Sequence, residues 1–433
     1  MQDSAQENSV KSESLSLRDQ KHLWHPLTQH KLYPEMLAIV KAKGAVLYGE
    51  NGNEYVDGIS SWYTCMYGHC NATITSKVAA QMEVLDQVVF SGFTHRPAVE
   101  LSEALMSILP ENQQKLFFSD NGSTATEIGI KMALQYHHNL GNDRNVMLAF
   151  EEGFHGDTFG AMSVSGLSVY NGAFEDHFIK VVRIPVPTFS NLKEIREKLK
   201  ELISEYKIAG FIYEPLVQGA AAMKMHDAHG LNEILKICKE NEILTIADEV
   251  MTGFGKTGKY FASDYLETKP DIICMSKALT AGLLPMAVTS CSQRVYDAFY
   301  ADEISKGLFH GHTYTANPLS CTAALAGIEL LKSDEMQENI RRISKSHANF
   351  HKRIKTHPKV TNARQLGVIY AFDLNVKMER YGNLRNQLFS HFMENGVFLR
   401  PLGSTIYILA PYITSNKELQ KIYQSIESAL EKF

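Results

Sequence analysis

From Lys115 to Cys291 the chain alternates short, uninterrupted apolar runs with stretches whose apolar residues recur at helical spacing. KLFFSD, VMLAFE, IAGFIYEP, EILTIADE, DIICMSK and MAVTSC read as buried strands. Such strands, separated by amphipathic helices, predict an α/β architecture with a mostly parallel, helix-covered sheet. LKEIREKLKELISEYK sets Leu192, Ile195, Leu199, Leu202 and Ile203 on one helical face, with its charges forming a solvated surface opposite. DNGSTATEIGIKMALQYHH joins a strand to a helix with Ala125, Ile128, Met132 and Tyr136 on one face, and Thr124 with Glu127 fits a capping box. Hairpin signals, GENGNEYVDG among them, fall in residues 21–70, and the last hundred residues read as helix and strand (GVIYAFDL, GVFLRPLG, IYILAPY). The pattern divides the chain into a flexible tail over 1–20, a large domain over 71–330, and a smaller α+β domain built from 21–70 and 331–433.

Polar groups collect just past the ends of the apolar runs: Asn121 to Ser123, Phe154 with Asp157, Glu214, Asp248 and Lys277. Open α/β sheets bind ligands beyond the carboxyl ends of their strands, so these loops are expected to meet in one crevice. Lys277 and Asp248 form the sharpest pair. A lysine amine can hold an aldehyde cofactor covalently, while a carboxylate keeps a pyridine nitrogen protonated so that the ring draws electrons from the reacting carbon. Taken singly, the lysine is a strand-end charge and the aspartate a loop acid. Gly122 and Ser123 add backbone amides and a hydroxyl at the positive end of a helix, suited to a phosphate. Phe154, in GFHGDTFGAMS, can stack on a flat cofactor or plug the core; His155 beside it is read as structural. GHTYTANPLSC offers the Thr313 hydroxyl, and Asn317 before Pro318 is a helix-start signal.

Composition narrows the ligands. The 433 residues are 44% hydrophobic, enough for a packed core, and the net charge of −5 leaves no basic excess for nucleic acid. Six cysteines show neither a CxxC pair nor metal-ligand spacing, which points to reduced thiols in the cytoplasm and no metal site. The first twenty residues lack the apolar core of a signal peptide, and no apolar run is long enough for a membrane span. In TGFGKTGKY, Gly253, Gly255 and Gly258 match GxGxxG, and Gly253 to Lys259 match GxxxxGK. Tyr260 stands where a magnesium-binding Ser or Thr is needed, and the dinucleotide reading needs a clear helix and an acid about 20 residues on, so both readings are weak.

ADEVMTGFGKTGKYFA, DIICMSKALTAG, DNGSTATEIGIKMA and HGHTYTANPLSC together resemble class III pyridoxal phosphate aminotransferases, over nearly the whole chain. The resemblance implies the type I aminotransferase fold and a homodimer with active sites at the subunit interface. It implies Lys277 as covalent anchor and proton shuttle, Asp248 on the pyridine nitrogen, and Gly122 with Ser123 on the phosphate. Phe154 and His312 join the cofactor site, and Thr313 reaches the neighbour's phosphate. Members that use glutamate carry a Glu after QG, an Arg before an APP run and a Gln three past the cofactor Asp. Here those places hold Ala220, Ile408 and Met251.

LWHPLTQ, GISSWYTCMYGH, EPLVQGAAAM, GFHGDTFGAMSV and FLRPLGSTIYILAPY instead resemble the branch that aminates 8-amino-7-oxononanoate to 7,8-diaminononanoate for biotin, with S-adenosylmethionine as amino donor. That branch implies Trp62 on the substrate's aliphatic chain, Arg400 on its remote carboxylate, Tyr407 and Gly311 along the pocket, and Asp157 at the donor site. Many members carry tyrosines, associated with adenosylmethionine recognition, where this chain has Leu27 and Phe154. Some relatives use lysine as donor, and that alternative stays open, as does another class III ω-aminotransferase. Read without the family, Trp62 is a core residue and Arg400 half of a surface ion pair. A non-catalytic sensor or interaction module on the same scaffold is disfavoured by the intact Lys277 and Asp248.

Overall fold

The computed structural model describes every residue except 1–12, 34, 167, 169, 170 and 377–381. At its centre lies a seven-stranded sheet, ordered Gln113–Ser119, Ala287–Ser292, Ile272–Met275, Leu244–Asp248, Ile208–Tyr213, Val146–Phe150 and Val181–Ile184. Ala287–Ser292 runs antiparallel to both neighbours, and the remaining pairs are parallel. All six expected strands are present. Val181–Ile184 is a further one, too short and too polar at Arg183 to stand out in the apolar pattern. Its guanidinium donates to the carbonyls of Ser163 and Ser165 at 2.6 and 2.8 Å, which ties the sheet edge to the preceding segment.

Helix Gly122–Asn139 packs across the strands that carry the central polar groups. Gly129 permits that closeness: a Cβ there would stand 3.1 Å from Cys274 Sγ and 3.2 Å from Ile246 Cγ2. The helix start differs from the expected Thr124–Glu127 box. Asn121 is the N-cap, its side chain accepting from Thr124 N at 3.0 Å while Asn121 N donates back to Thr124 Oγ1 at 3.1 Å. Glu127 sits one turn too far along to reach the cap. Its Oε1 instead accepts from Thr158 Oγ1 at 2.5 Å and from Gly160 N and Ala161 N at 2.8 and 3.1 Å, capping the next helix, Phe159–Val164.

Both chain ends contribute to one smaller sheet. Glu54–Asp57 pairs antiparallel with Val46–Gly49 and parallel with Val397–Phe398, Val397 lying opposite Val56. A three-stranded sheet of Val360–Leu366, Ile369–Leu374 and Thr405–Ile408 follows nearby in sequence. Of the tail expected over 1–20, residues 1–12 lie outside the described residues, and Leu15–Asp19 form a short helix capped by Ser14. Residues 250–260 run in turns that lead to no helix N-terminus able to cradle a phosphate. Lys256 in that segment is fully buried, donating to Gly253 O at 2.9 Å, and Lys259 donates to Asp264 O at 3.1 Å. Among the described residues, no helix is long and apolar enough to cross a membrane.

Candidate active site

Asp248 ends its strand, and Lys277 follows the neighbouring strand Ile272–Met275, which pairs in parallel with Asp248 opposite Cys274. Parallel pairing therefore delivers both residues to the same edge of the sheet. Lys277 has φ of 48°, a left-handed conformation for a side-chain-bearing residue. Such strain is held at few positions and clusters where function needs it. Burial lowers the Lys277 amine from its usual range, and the Asp248 and Glu214 carboxylates oppose that shift.

Asp248 is buried and fully engaged. Oδ1 accepts from Val250 N at 3.0 Å, and Oδ2 lies 2.7 Å from His155 Nδ1. The ring read from sequence as merely structural therefore orients the central carboxylate. His155 N donates to Ser165 Oγ at 2.9 Å, which fixes the loop, and among the described residues His155 Nε2 is buried without a hydrogen-bond partner. The sequence offers only its place beside the candidate stacking ring, because its partner Asp248 is distant along the chain.

Glu214 lies close enough to Asp248 and Lys277 to act on both. It is buried, accepting from Phe154 N at 2.9 Å and from Gly219 N at 2.8 Å. Burial pushes its carboxyl up to about 7, against the pull of His155 and with added repulsion from Asp248. Phe154 itself is 43% exposed, its ring available to a ligand rather than plugging the core. Ser123 Oγ accepts from Asp157 N at 3.2 Å, joining the helix start to the Phe154 loop. At Gly122 a Cβ would approach Val250 Cγ1 to 2.9 Å, so glycine lets the helix start pack against the turn that follows Asp248.

A second cluster stands beside Lys277. The Arg400 guanidinium lies over the Trp62 ring, 5.0 Å from its centroid, so neither the core reading of Trp62 nor the surface ion pair of Arg400 describes them. Tyr407 is buried and accepts from Tyr63 OH at 3.0 Å. Tyr63, which sequence reasoning passed over, faces Lys277 Nζ at 5.3 Å from its centroid. The remaining candidates lie on more open segments. Leu27, Asp157, Gly311 and Thr313 are exposed, Thr313 O accepting from Gln87 Nε2 at 2.9 Å. His312 lies 3.0 Å from His310 Nε2 and 3.6 Å from Asp120 Oδ2.

An amine, an imidazole-backed carboxylate and a helix start are the groups that a pyridine aldehyde phosphate would need. The class III aminotransferase model matches residues 28–430, and the chain belongs to that family, whose members depend on pyridoxal phosphate. It is 41% identical to the adenosylmethionine-8-amino-7-oxononanoate aminotransferase of Synechococcus elongatus, over 95% of this chain and 99% of that protein. The enzyme of the same name from Staphylococcus aureus is 34% identical over 97% and 98%. Among solved structures, that of the Methanocaldococcus jannaschii enzyme of this name superposes with a TM-score of 0.91 at 32% identity, covering 96% of this chain and 98% of that one. A PLP-bound amine transaminase from an uncultivated Pseudomonas species gives 0.88 at 26% identity, covering 95% and 98%. The chain is thus a pyridoxal phosphate-dependent aminotransferase of the type I fold. The donor set fits that cofactor: Lys277 suits its aldehyde, Asp248 its ring nitrogen, and the Gly122–Ser123 helix start its phosphate.

Proposed function

We propose that this aminotransferase moves an amino group from S-adenosylmethionine to the ketone of 8-amino-7-oxononanoate, giving 7,8-diaminononanoate for biotin synthesis. The observation that carries the reading is the Arg400–Trp62 stack, a cation and an apolar face side by side. It suits a ligand with an aliphatic middle and a carboxylate end. The names of the most similar relatives support the same substrate.

Bound pyridoxal phosphate supplies an aldehyde that holds amines covalently and a ring that accepts electrons from the reacting carbon. The chain's own residues do the rest. Lys277 would hold the aldehyde and, as a free amine, would take the proton from the donor carbon and deliver it, acting as general base and acid in turn. Asp248, held by His155 and Val250 N, would keep the ring nitrogen protonated. Gly122, Ser123 and His312 would hold the phosphate end, Thr313 would reach the phosphate of a neighbouring subunit, and Phe154 would lie against the ring. Arg400 binds the carboxylate of the keto substrate, with Trp62, Tyr407 and Gly311 along its chain, and Leu27, Phe154 and Asp157 bound the donor.

The enzyme acts as a homodimer in the cytoplasm. Met82, Val84, Val89 and Phe93 are exposed, as are Ile304, Phe309 and Tyr314, and Gln87 ties the two segments through Thr313 O and Asn317. Apolar side chains gathered on one face fit a subunit contact. Six free cysteines, four of them buried, fit a reducing compartment.

A donor panel tests the donor assignment. S-adenosylmethionine should convert the cofactor to its amine form, seen as loss of the visible absorption band, with lysine much slower. Lysine as donor is the second reading, favoured by Leu27 and Phe154, which offer no hydroxyl where many members have tyrosine. Conversion by lysine alone would replace the first reading with the second.

A further inference from the structure

Ser60, Ser61, Trp62 and Tyr63 have φ of 50°, 45°, 71° and 71°, a left-handed turn built without glycine. Left-handed backbone is strained for residues with a Cβ and persists only where the surroundings over-determine it. Here they do. Ser60 Oγ donates to Leu409 O at 2.7 Å, Ser61 Oγ donates to Asp57 Oδ2 at 2.8 Å, and that same oxygen lies 2.9 Å from His69 Nε2. Thr64 N closes the turn on Ser60 O at 3.0 Å.

The turn sends two consecutive aromatic side chains to different partners, Trp62 to Arg400 and Tyr63 to Lys277. Tyr63 is 4% exposed, and its hydroxyl is anchored on Tyr407, so its ring cannot turn away. The charged groups that face Lys277 are Asp248 and Glu214 and, from the turns after Asp248, Lys256.

We propose that Tyr63 is a positioning residue for Lys277: its ring face holds the lysine nitrogen while that nitrogen carries a proton. The proposal rests on the reading of Lys277 as the reacting amine. An ammonium within about 6 Å of a ring centroid is attracted by the ring's negative face, more strongly where water is excluded. A carboxylate in the same place would pin the amine in a salt bridge. The ring opposes the burial cost yet leaves the amine free to swing, which a shuttle requires.

The test uses the full-length protein freed of cofactor, with competitive acylation of amines across a pH series and mass spectrometry of the Lys277 peptide. Tyr63→Leu should lower the Lys277 labelling midpoint by about one pH unit, a tenfold change in the ammonium-to-amine ratio. Tyr63→Phe, which keeps the ring face, should leave the midpoint at the wild-type value. Should Tyr63→Leu lose its circular dichroism signal, Tyr63→Met, whose flexible chain fills irregular space without a ring face, takes its place. An unchanged midpoint in the folded Leu or Met variant overturns the proposal, as does a Phe variant that shifts as far as Leu. The labelling needs neither cofactor nor substrate, so turnover persisting in Lys277→Ala would sink the functional reading without touching this result.

Discussion

Glu214 holds two loops with one carboxyl group: the loop of the stacking ring through Phe154 N, and the following turn through Gly219 N. Its pKa is raised from 4.5 to about 7 in the fold, so the sign of its pH effect is fixed. The stability it contributes is fully present below the unfolded value and is lost as pH rises through about 7. Glu214→Gln stays neutral throughout, with one amide hydrogen bond sacrificed. Its destabilisation relative to wild type should therefore shrink by about 2 kcal/mol between pH 5 and pH 8. Unfolding of both proteins at the two pH values measures this, and a pH-independent difference would mean the carboxyl titrates elsewhere. Residue types at strand ends made Asp248, Lys277 and Glu214 legible in the sequence. His155 and Tyr63 were not, because what distinguishes them is a partner distant in sequence: Asp248 for one, Lys277 and Tyr407 for the other.

Elements buried on both faces announce themselves, and the central strands were read from their apolar runs because every residue of Val146–Phe150, Ile208–Tyr213 and Leu244–Asp248 is buried. Edges and strained turns do not. Val181–Ile184 is partly exposed, and the 60–63 turn lacks the glycine that normally marks left-handed backbone. The helix start was found by pattern, but its cap was displaced, since Thr124 and Asn121 satisfy each other and free Glu127 for its neighbour. That displacement gives Asn121→Ala a defined effect. It should cost about 1 kcal/mol of stability, the usual loss for an N-cap. It should also weaken cofactor binding, because the first-turn amides of Gly122 and Ser123 lose their fixed direction. Thermal unfolding and a titration of cofactor-free protein with pyridoxal phosphate read the two effects separately. An intact affinity would remove the helix start from the phosphate site.

At the scale of the whole molecule, the crevice is assembled from three distant stretches of chain. Lys277 and Asp248 come from the seven-stranded sheet, Trp62 follows the strand Glu54–Asp57, and Arg400 follows Val397–Phe398, which pairs with that strand. The parallel pair of Val397 with Val56 is thus what brings Arg400 onto Trp62. Arg400 lies over Trp62, whereas Lys277 lies over the next residue, Tyr63, so the carboxylate-binding and amine-transfer groups engage different side chains. Removing the guanidinium should therefore act on one half-reaction. Arg400→Ala should raise KM for 8-amino-7-oxononanoate by tenfold or more, the loss of roughly 1.5–3 kcal/mol for a charge-assisted hydrogen bond. The rate at which the donor bleaches the bound cofactor should stay within about twofold of wild type, because that step needs no remote carboxylate. Stopped-flow absorbance for the donor step, beside steady-state kinetics with the keto substrate, separates the two. Equal losses in both would make Arg400 a strut for Trp62 and the Tyr63 turn instead of a carboxylate receptor.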